Sequence, residues 1–226
     1  MKLVGQYDSP YTRRVAISLH MLGFGFENIR LSVFGDAAKM QQINPLIRIP
    51  ALTLDDGEVL IDSAAILDWL DETVGTERAL MANSGAARRK ILRIIAIATG
   101  AIDKAMGISY ERYRRPPEKM HQPWINRLSE QLNGALSTLE AYPLTPWLMG
   151  DRLTQADITV AAMIGYLQLY LPDFLPIDRY SNLALLSCRC EAEPAFMASL
   201  PTPEDIGGNI DEARQAITRL QGRVAR

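Results

Sequence analysis

The chain has 226 residues, of which 48% are hydrophobic and 22% are charged, and its formal net charge is −2. This composition is typical of a globular protein with one large or two modest domains, and it excludes a global charge that would attract nucleic acid or an anionic membrane. No apolar run reaches the ~20 residues of a membrane span, and the N-terminus lacks the pattern of a signal peptide. We therefore expect a cytoplasmic protein.

Cysteine and histidine are too few and too dispersed for a metal site or a disulfide framework. Cys188 and Cys190 are separated by one residue, which would point them in different directions on a helix. His20 and His121 are far apart in the sequence and have no cysteine nearby. We expect no bound metal and no structural disulfide.

Hydrophobic periodicity in the first third of the chain predicts short strands that alternate with helices. The predicted strands cover 2–7, 26–32, 49–54 and 58–61, and the predicted helices cover 13–22, 34–43 and 63–74. Asp55-Asp56-Gly57 is typical of a hairpin turn between the last two strands, whereas the first two strands are joined through a helix. This order indicates an α/β unit with a mixed four-stranded sheet and helices packed against it.

The pattern changes at Gly75, because the residues from there to Gly85 include polar residues and two glycines, and no strand is predicted among or beyond them. Such a change in composition marks a domain boundary. We therefore expect a first domain over residues 1–75, a linker over 76–85 and an all-helical domain over 86–226. Helices of the second domain are predicted over 86–113, 124–142, 158–170 and 180–192, with a loosely held helix in the tail after Pro201.

Thr154 and Asp157 have the spacing of a capping box, in which each side chain accepts a hydrogen bond from the backbone N–H of the other residue. They predict a helix start just before the run 158–170, which is almost wholly apolar. A helix that is apolar on all sides is buried, so this run is expected to form the centre of the second domain.

Ser9 and Pro10 stand between the first predicted strand and the first predicted helix. Proline is favoured in the first helical turn, and a preceding serine is a common N-cap. The free backbone N–H groups and the dipole at this end of a helix also attract anions. By themselves the two residues favour a plain N-cap, with an anion site as the alternative.

Four motifs occur in order along the chain. They are Ser9-Pro10-Tyr11-Thr12-Arg13, the segment from Asn44-Pro45 to Arg48-Ile49-Pro50-Ala51-Leu52, the pair Asp62-Ser63, and the stretch from Thr154 to Asp157. Together with the predicted element order, they resemble the glutathione S-transferase family, in particular bacterial members with an S-P-x-x-R active-site turn. The resemblance covers nearly the whole chain. It implies a thioredoxin-like first domain and an all-α second domain.

Glutathione carries a thiol, two carboxylates and an amine, and the resemblance implies a residue for each part. Ser9 is implied as the catalytic residue, which would hydrogen-bond the thiolate at the positive end of the first helix. The implied glutathione-binding residues are Tyr11 beside the thiol, Arg48 at the glycyl carboxylate, Ile49 and a cis Pro50 at the cysteinyl backbone, and Asp62 and Ser63 at the γ-glutamyl end. Without the resemblance, Asp62 and Ser63 predict a helix cap, Arg48 a surface cation and Pro50 a strand start.

The resemblance also implies a pocket for the electrophile between the two domains. Its candidate residues on the long helix of the second domain are Met106, Tyr110, Tyr113 and Arg114. Aromatic and Met side chains at helical spacing are equally typical of a hydrophobic core.

Three features depart from the family pattern. Ser9 and Thr12 stand where redox-active relatives carry Cys, so a mixed disulfide cannot form at this turn. Ile47 occupies a position where glycine is common. Thr99 replaces an acidic residue, and Asp103 is expected to face either the cleft or the solvent.

The resemblance implies a homodimeric glutathione transferase that activates glutathione, its co-substrate, for attack on a small hydrophobic electrophile in detoxification, with no metal. Two alternatives stay open. One is a glutathione-dependent disulfide or peroxide reductase, in which Ser9 or Thr12 supports the glutathione thiolate. The other is a non-catalytic binding or regulatory protein that retains the fold. The complete set of Ser9, Arg48, Asp62 and Ser63 argues against the non-catalytic protein.

Overall fold

The computed structural model describes residues 1–176 and 178–206, together with 215, 217 and 218. Short strands and helices alternate in the first third of the chain, and helices follow in the remainder. The first group consists of β1 (Lys2–Val4), α1 (Pro10–Leu22), β2 (Glu27–Ile29), α2 (Ala37–Ile43), β3 (Ala51–Thr53), β4 (Val59–Ile61) and α3 (Ser63–Val74). The second group consists of α4 (Gly85–Tyr113), α5 (Gln122–Glu140), α6 (Gln155–Tyr170), α7 (Ser181–Glu191), α8 (Pro194–Ala198) and α9 (Pro203–Ile206), with single 3-10 turns at Pro117–Lys119 and Pro172–Phe174.

The four strands form one mixed sheet with the order β2-β1-β3-β4. β1 runs parallel to β2, because α1 carries the chain across the sheet between them, and antiparallel to β3. β3 and β4 are antiparallel neighbours joined by a tight turn that contains Gly57 at a φ of 93°. The mixed four-stranded sheet and the helical second part confirm the predicted fold class.

The larger of two hydrophobic clusters in the described residues runs through both parts of the chain. It includes Leu3 of the sheet, Ile17 of α1 and Leu167 of α6. α1 joins the two parts, since it packs on α3 next to the sheet and on α6 within the helical part. All residues from Gln155 to Leu169 are buried, as the apolar run predicted. The shared core therefore fixes how the first helices and α6 face each other.

The observed helix boundaries differ from the predicted ones mainly at the helix starts. α1 begins at Pro10 and α6 at Gln155, ahead of the predicted starts at 13 and 158. The first turn of each helix carries few apolar residues, so periodicity does not detect it. The capping box is present, with the Thr154 N–H donating to Oδ2 of Asp157 at 2.8 Å.

The strands are shorter than predicted, each with three residues, because the flanking residues leave the ladder for turns. The helix predicted in the tail falls mainly on positions outside the described ranges, which reach Ile206 before the gap. Among the helices of the described ranges, none combines the length and the apolar character needed to cross a membrane.

Candidate functional site

The first component of the site is the turn between β1 and α1. Ser9 has the extended backbone of an N-cap, and its Oγ accepts a hydrogen bond from the Thr12 N–H at 3.4 Å. Gly5 (φ +140°) allows the close packing of this turn, since a Cβ there would lie 2.5 Å from Oγ1 of Thr12. Thr12 is fully buried, whereas Ser9 keeps 7% of its surface exposed. Of the two side chains, Ser9 is therefore the more accessible at the start of α1.

The second component is the turn before β3. The Ile49–Pro50 peptide bond is cis, as the family resemblance implied. The buried Asn44 side chain holds the preceding loop, because it donates to the Arg48 carbonyl at 2.8 Å and accepts from the Leu46 N–H at 3.0 Å. Ile47 has a φ of 50°, so the loop has the left-handed conformation that glycine favours although a β-branched residue stands there.

The third component is the start of α3. Asp62 is its N-cap and accepts a hydrogen bond from the Ala64 N–H at 2.8 Å. Oγ of the buried Ser63 accepts two hydrogen bonds from Arg14 of α1, at 3.1 Å from Nε and 2.7 Å from Nη2. Both lone pairs of this oxygen are then in use, so the Ser63 O–H is left to donate to a ligand.

Arg14 is a buried cation, with 2% of its surface exposed. Its Nη1 contacts Oγ1 of Thr159 on α6 at 3.5 Å, and within the described ranges no carboxylate forms an ion pair with it. Burial lowers the pKa of Arg14 to about 10, so the guanidinium stays charged at neutral pH. An anion bound at Ser63 would interact favourably with this charge.

The helical part contributes a fourth component through α4. The Tyr11 hydroxyl donates to Oδ1 of Asp103 at 2.5 Å and lies 3.4 Å from the Thr99 carbonyl oxygen. Burial and the Asp103 contact raise the pKa of Tyr11, which keeps the phenol protonated. Asp103 therefore faces the cleft and not only the solvent.

These components surround a cavity of about 350 Å³, here called the main cleft. It is lined by Tyr11, Arg14, Asn44, Leu46, Arg48, Ile49, Pro50, Ile61, Asp62, Ser63, Ala64, Thr99 and Asp103. The structure thus brings together all the predicted glutathione-binding residues, while Ser9 lies at the start of α1 and does not belong to the lining. The lining contains two guanidinium and two carboxyl groups, which suits a ligand with both carboxylates and an amine.

A second cavity of about 270 Å³, here called the Arg114 cavity, is lined by Tyr110, Glu111, Arg114, Arg115 and Pro116. The Phe34 ring lies against it, with the Arg114 guanidinium carbon 3.9 Å from the ring centroid and the Tyr110 ring packed edge-on.

Only two of the four predicted electrophile-pocket residues, Tyr110 and Arg114, line this cavity. Met106 is half-buried and packs against the hydrophobic cluster. Tyr113 is exposed, and its hydroxyl donates to the Tyr170 carbonyl at 3.1 Å.

Sequence reasoning missed Arg14 and Thr159. It also missed the hydrogen bond between Tyr170 and Asp8, the residue that precedes Ser9. Asp8 accepts a hydrogen bond from the Tyr170 hydroxyl at 2.7 Å. Ser63 of α3 accepts a hydrogen bond from the Arg14 side chain of α1. No local spacing could have signalled these pairs, because each joins elements that are distant in the sequence. In the described ranges, no group of three or more His, Cys, Asp and Glu side chains could hold a metal ion.

Comparison with protein families gives two matches along the chain. Residues 3–78 match the profile of the glutathione S-transferase N-terminal domain, and residues 122–185 match that of the glutathione S-transferase C-terminal domain. The uncharacterized GST-like protein YibF of Escherichia coli is 30% identical over 167 residues, which cover 74% of this chain and 82% of YibF. Maleylacetoacetate isomerase of Pseudomonas aeruginosa is 27% identical over 212 residues, which cover 89% of this chain and 96% of the isomerase.

Solved structures of similar proteins contain glutathione or a derivative. A glutathione transferase family member from Pseudomonas fluorescens with bound glutathione has a TM-score of 0.79 and 34% identity, covering 88% of this chain and 98% of that one. A glutathione S-transferase from Methylobacterium radiotolerans in complex with glutathione sulfonate has a TM-score of 0.83 and 30% identity, covering 88% and 94%.

Proposed function

The chain belongs to the glutathione S-transferase family, and we propose that it binds glutathione in the main cleft and ionises the glutathione thiol at Ser9. The observation that supports this most is the convergence of Arg48, the Ile49–Pro50 turn and the Asp62-Ser63 pair on one cavity beside the start of α1. A fold can be kept without such a set of groups, so their convergence favours a ligand over a purely structural role.

Each part of glutathione has a partner in this arrangement. Ser63 and the start of α3 hold the γ-glutamyl carboxylate, with Arg14 behind the hydroxyl and Asp62 near the amine. The backbone of Ile49 pairs with the cysteinyl unit as an added strand, which directs the thiol towards Ser9. Arg48 binds the glycyl carboxylate, and Tyr11 packs beside the thiol.

Ser9 would act on the thiol and not on the acceptor. A free thiol has a pKa of about 8.5, and lowering it to roughly 6.5 needs ~2.7 kcal/mol of preferential thiolate stabilisation. A hydroxyl donor at a helix N-terminus supplies stabilisation of this kind. The bound thiolate then attacks a small electrophile. We propose Met106, Tyr110, Tyr113 and Arg114 as the residues of its pocket, of which Tyr110 and Arg114 line the Arg114 cavity.

The isomerase relatives support a second candidate function at the same site. Maleylacetoacetate isomerase matches along most of both chains. A thiolate that adds to a conjugated double bond allows rotation about it, and its departure then leaves an isomerised alkene. Reduction of a disulfide or peroxide by the bound thiolate is a weaker candidate, and it would depend on Ser9 because Thr12 is fully buried.

We also propose the domain division at residues 1–75, 76–85 and 86–226, a cytoplasmic location, a homodimer and a role in detoxification. These follow from the family and from the change of pattern at Gly75. A non-catalytic role is disfavoured by the set of groups in the main cleft.

Calorimetric titration with glutathione, combined with ultraviolet absorbance of the thiolate across pH, tests the proposal. Wild type is expected to bind at millimolar concentration or better and to show a thiol pKa about two units below that of free glutathione. Ser9→Ala should bind glutathione but raise the pKa of the bound thiol by one unit or more, because it loses the hydroxyl donor.

Ser84→Ala is the matched control, since Ser84 precedes α4 and makes no side-chain cap. It should leave the thiol pKa at the wild-type value. Failure of wild type to bind glutathione would overturn the proposal, and an unchanged pKa in Ser9→Ala would remove Ser9 from it.

A further inference from the structure

The end of α4 carries three arginines, and one of them has no carboxylate partner among the described residues. Arg112 lies 3.3 Å from Asp173, and Arg115 lies 2.7 Å from Glu111. In the same part of the chain, no ion pair joins Arg114 to an acidic side chain. Because Arg114 lines the Arg114 cavity, its positive charge is available to a ligand there.

The Arg114 guanidinium is held by an aromatic ring. Its central carbon lies 3.9 Å from the centroid of Phe34, and the Tyr110 ring meets Phe34 edge-on at a centroid distance of 5.9 Å. The backbone at Phe34 is fixed, because Oγ of Ser32 accepts hydrogen bonds from the N–H groups of Phe34 and Gly35 at 3.2 Å and 3.3 Å. A guanidinium over a ring face keeps N–H groups at its edge, where they can bind both oxygens of one carboxylate.

The other charged groups of the cavity do not cancel the charge of Arg114. Glu111 also lines the cavity, but its carboxylate lies 2.7 Å from Arg115 and accepts a hydrogen bond from the His121 N–H at 3.4 Å. Arg115 therefore neutralises Glu111, and the lining keeps one net positive charge. The charge of the cavity favours an anion.

Apolar surface flanks this charge. The Tyr110 ring and Pro116 line the cavity, and the Phe34 ring lies against it. Phe34 is 52% exposed and Tyr110 is 46% exposed, so both rings present apolar surface that the rest of the chain does not cover. Burial of such surface by a ligand is favourable. One guanidinium beside two open rings suits an organic carboxylate with a flat apolar body.

The Arg114 cavity and the main cleft lie along one face of α4. Thr99 and Asp103 line the main cleft, whereas Tyr110 and Arg114 line the Arg114 cavity. These positions are four, seven and four residues apart, each close to a whole number of turns of ~3.6 residues, and Asp103 and Tyr110 are about 10 Å apart along the helix axis. The Tyr11 hydroxyl contacts Asp103 at 2.5 Å. Since Tyr11 packs beside the proposed thiol position, an acceptor that extends from the thiol along this face reaches the Arg114 cavity.

We propose that the Arg114 cavity binds a carboxylate of the acceptor substrate, at the end remote from the carbon that the thiolate attacks. This inference rests on the proposed function, because it needs the glutathione thiolate in the main cleft. The acceptors are then aromatic or unsaturated carboxylates, not neutral hydrophobic compounds. Arg114 donates hydrogen bonds to the carboxylate, and the rings of Phe34 and Tyr110 cover the apolar body. No bond forms or breaks at Arg114, so it contributes to binding and specificity.

Calorimetry with glutathione conjugates tests the inference without turnover. The probes are S-(4-carboxybenzyl)glutathione and the longer S-[4-(2-carboxyethenyl)benzyl]glutathione, each compared with its uncharged carboxamide. Wild type is expected to bind at least one carboxylate about tenfold more tightly than the matching carboxamide, because the amide loses a charge-assisted bidentate contact. Arg114→Gln should lose this preference. Glutathione alone, which has no group to place at the cavity, gives the reference affinity for each protein.

Arg112→Gln is the matched control. It removes the same charge at the same end of α4, and Arg112 also lies over an aromatic ring, that of Phe174, at 5.7 Å. Arg112 lines neither cavity. Arg112→Gln should therefore keep the wild-type preference for the carboxylate. Arg114→Lys should keep only part of it, because an ammonium group supplies a charge without the bidentate geometry of a guanidinium.

The salt dependence of wild type is a second test, and it does not depend on the folding of a variant. Salt screens the attraction between an exposed guanidinium and a carboxylate. Raising the KCl concentration from about 50 mM to about 500 mM should therefore weaken binding of the carboxylate conjugate more than binding of its carboxamide. Equal effects on the two conjugates would contradict an ionic contact at Arg114.

The two proposals fail in different ways. If wild type binds neither glutathione nor any conjugate, the proposed function falls and the role of Arg114 falls with it. If wild type binds glutathione but prefers neither carboxylate to its carboxamide, only the role of the Arg114 cavity is overturned. The same holds if Arg114→Gln keeps the preference.

Discussion

The buried guanidinium of Arg14 donates two hydrogen bonds to the hydroxyl oxygen of Ser63, at 3.1 Å and 2.7 Å. The pair joins α1 to α3 where both helices border the main cleft. A guanidinium has no acceptor atom, so Ser63 cannot donate back to it. A carboxylate bound at Ser63 would therefore accept a hydrogen bond from the Ser63 hydroxyl. Its negative charge would also offset the desolvation free energy of the buried Arg14 guanidinium.

Replacement of Arg14 by methionine should weaken glutathione binding through the γ-glutamyl carboxylate. We expect a loss of about 1–3 kcal/mol in binding free energy, because the Ser63 hydroxyl is no longer oriented and the charge behind it is gone. Calorimetry should compare glutathione with an analogue that carries hydrogen in place of this carboxylate. The analogue should lose little affinity. Thr159→Val removes only the 3.5 Å contact of Arg14 and serves as the milder control.

Equal losses for glutathione and the analogue in Arg14→Met would contradict this prediction. Arg14 would then act through the packing of α1 and not through the ligand.

Asn44 should be important for both stability and ligand binding. Asn44→Ala removes the two hydrogen bonds that hold the loop before Ile49, and it leaves the Arg48 carbonyl and the Leu46 N–H without the Asn44 side chain as partner. We expect the free energy of unfolding to fall by about 1–3 kcal/mol in urea titrations. Glutathione affinity should also fall, because Arg48 and the Ile49 backbone lose their fixed position. Gln42→Ala on the exposed side of α2 is the matched control.

A loss of stability in Asn44→Ala without any change in affinity of the folded fraction would show that the loop does not position the ligand.

Local patterns were sufficient to predict the fold class and several helix caps. Strand and helix periodicities, the Asp55-Asp56-Gly57 turn and the capping box of Thr154 and Asp157 are set by neighbouring residues. Ser9 could be placed at the start of α1 for the same reason. These features depend on a few consecutive positions, so one sequence contains the information.

Tertiary packing decided what the sequence could not predict. Arg14 meets Ser63 across 49 positions and Tyr170 meets Asp8 across 162, so no spacing signals either pair. Ile47 shows the same effect in the backbone, because the hydrogen bonds of Asn44 fix a conformation that isoleucine disfavours alone. Tyr113 was also ambiguous, since helical periodicity cannot distinguish a pocket from a contact with Tyr170.

Asp8 should make the stability of the folded chain depend on pH. Burial raises its pKa from 3.8 to about 6, so the folded chain holds the proton more tightly than the unfolded chain. The associated stabilisation is complete below the unfolded value and is lost as the pH rises through about 6. Asp8→Asn has no carboxyl group to ionise at this position, so it does not lose this stabilisation as the pH rises. Its free energy of unfolding relative to wild type should therefore increase with pH, by roughly 1–3 kcal/mol between about pH 4 and about pH 7.5.

Urea titrations of both proteins at a series of pH values measure this difference, with Asp173→Asn as the control for loss of an exposed carboxylate. A difference that is constant across pH would mean that Asp8 does not titrate in this range.

The buried pair of Arg13 and Glu191 should contribute to stability only as a pair. Two hydrogen bonds of 2.8 Å and 2.6 Å join the side chains, each of which is 3% exposed, and Arg13 also donates to the Ser199 carbonyl at 3.0 Å. Glu191→Gln leaves the Arg13 charge buried without a counterion. We expect it to lower the free energy of unfolding by about 3–5 kcal/mol, because the desolvation of the guanidinium is no longer compensated.

A double-mutant cycle measured by urea denaturation distinguishes a coupled pair from two independent residues. Arg13→Met combined with Glu191→Leu removes both charges, so the double variant should lose less stability than the two single changes added together. The exposed pair of Arg112 and Asp173, with side chains 34% and 57% exposed, is the matched control. Its coupling energy should stay below about 1 kcal/mol, because water already solvates both charges. If the losses at Arg13 and Glu191 simply add, the two residues act independently and this ion pair does not couple α1 to α7.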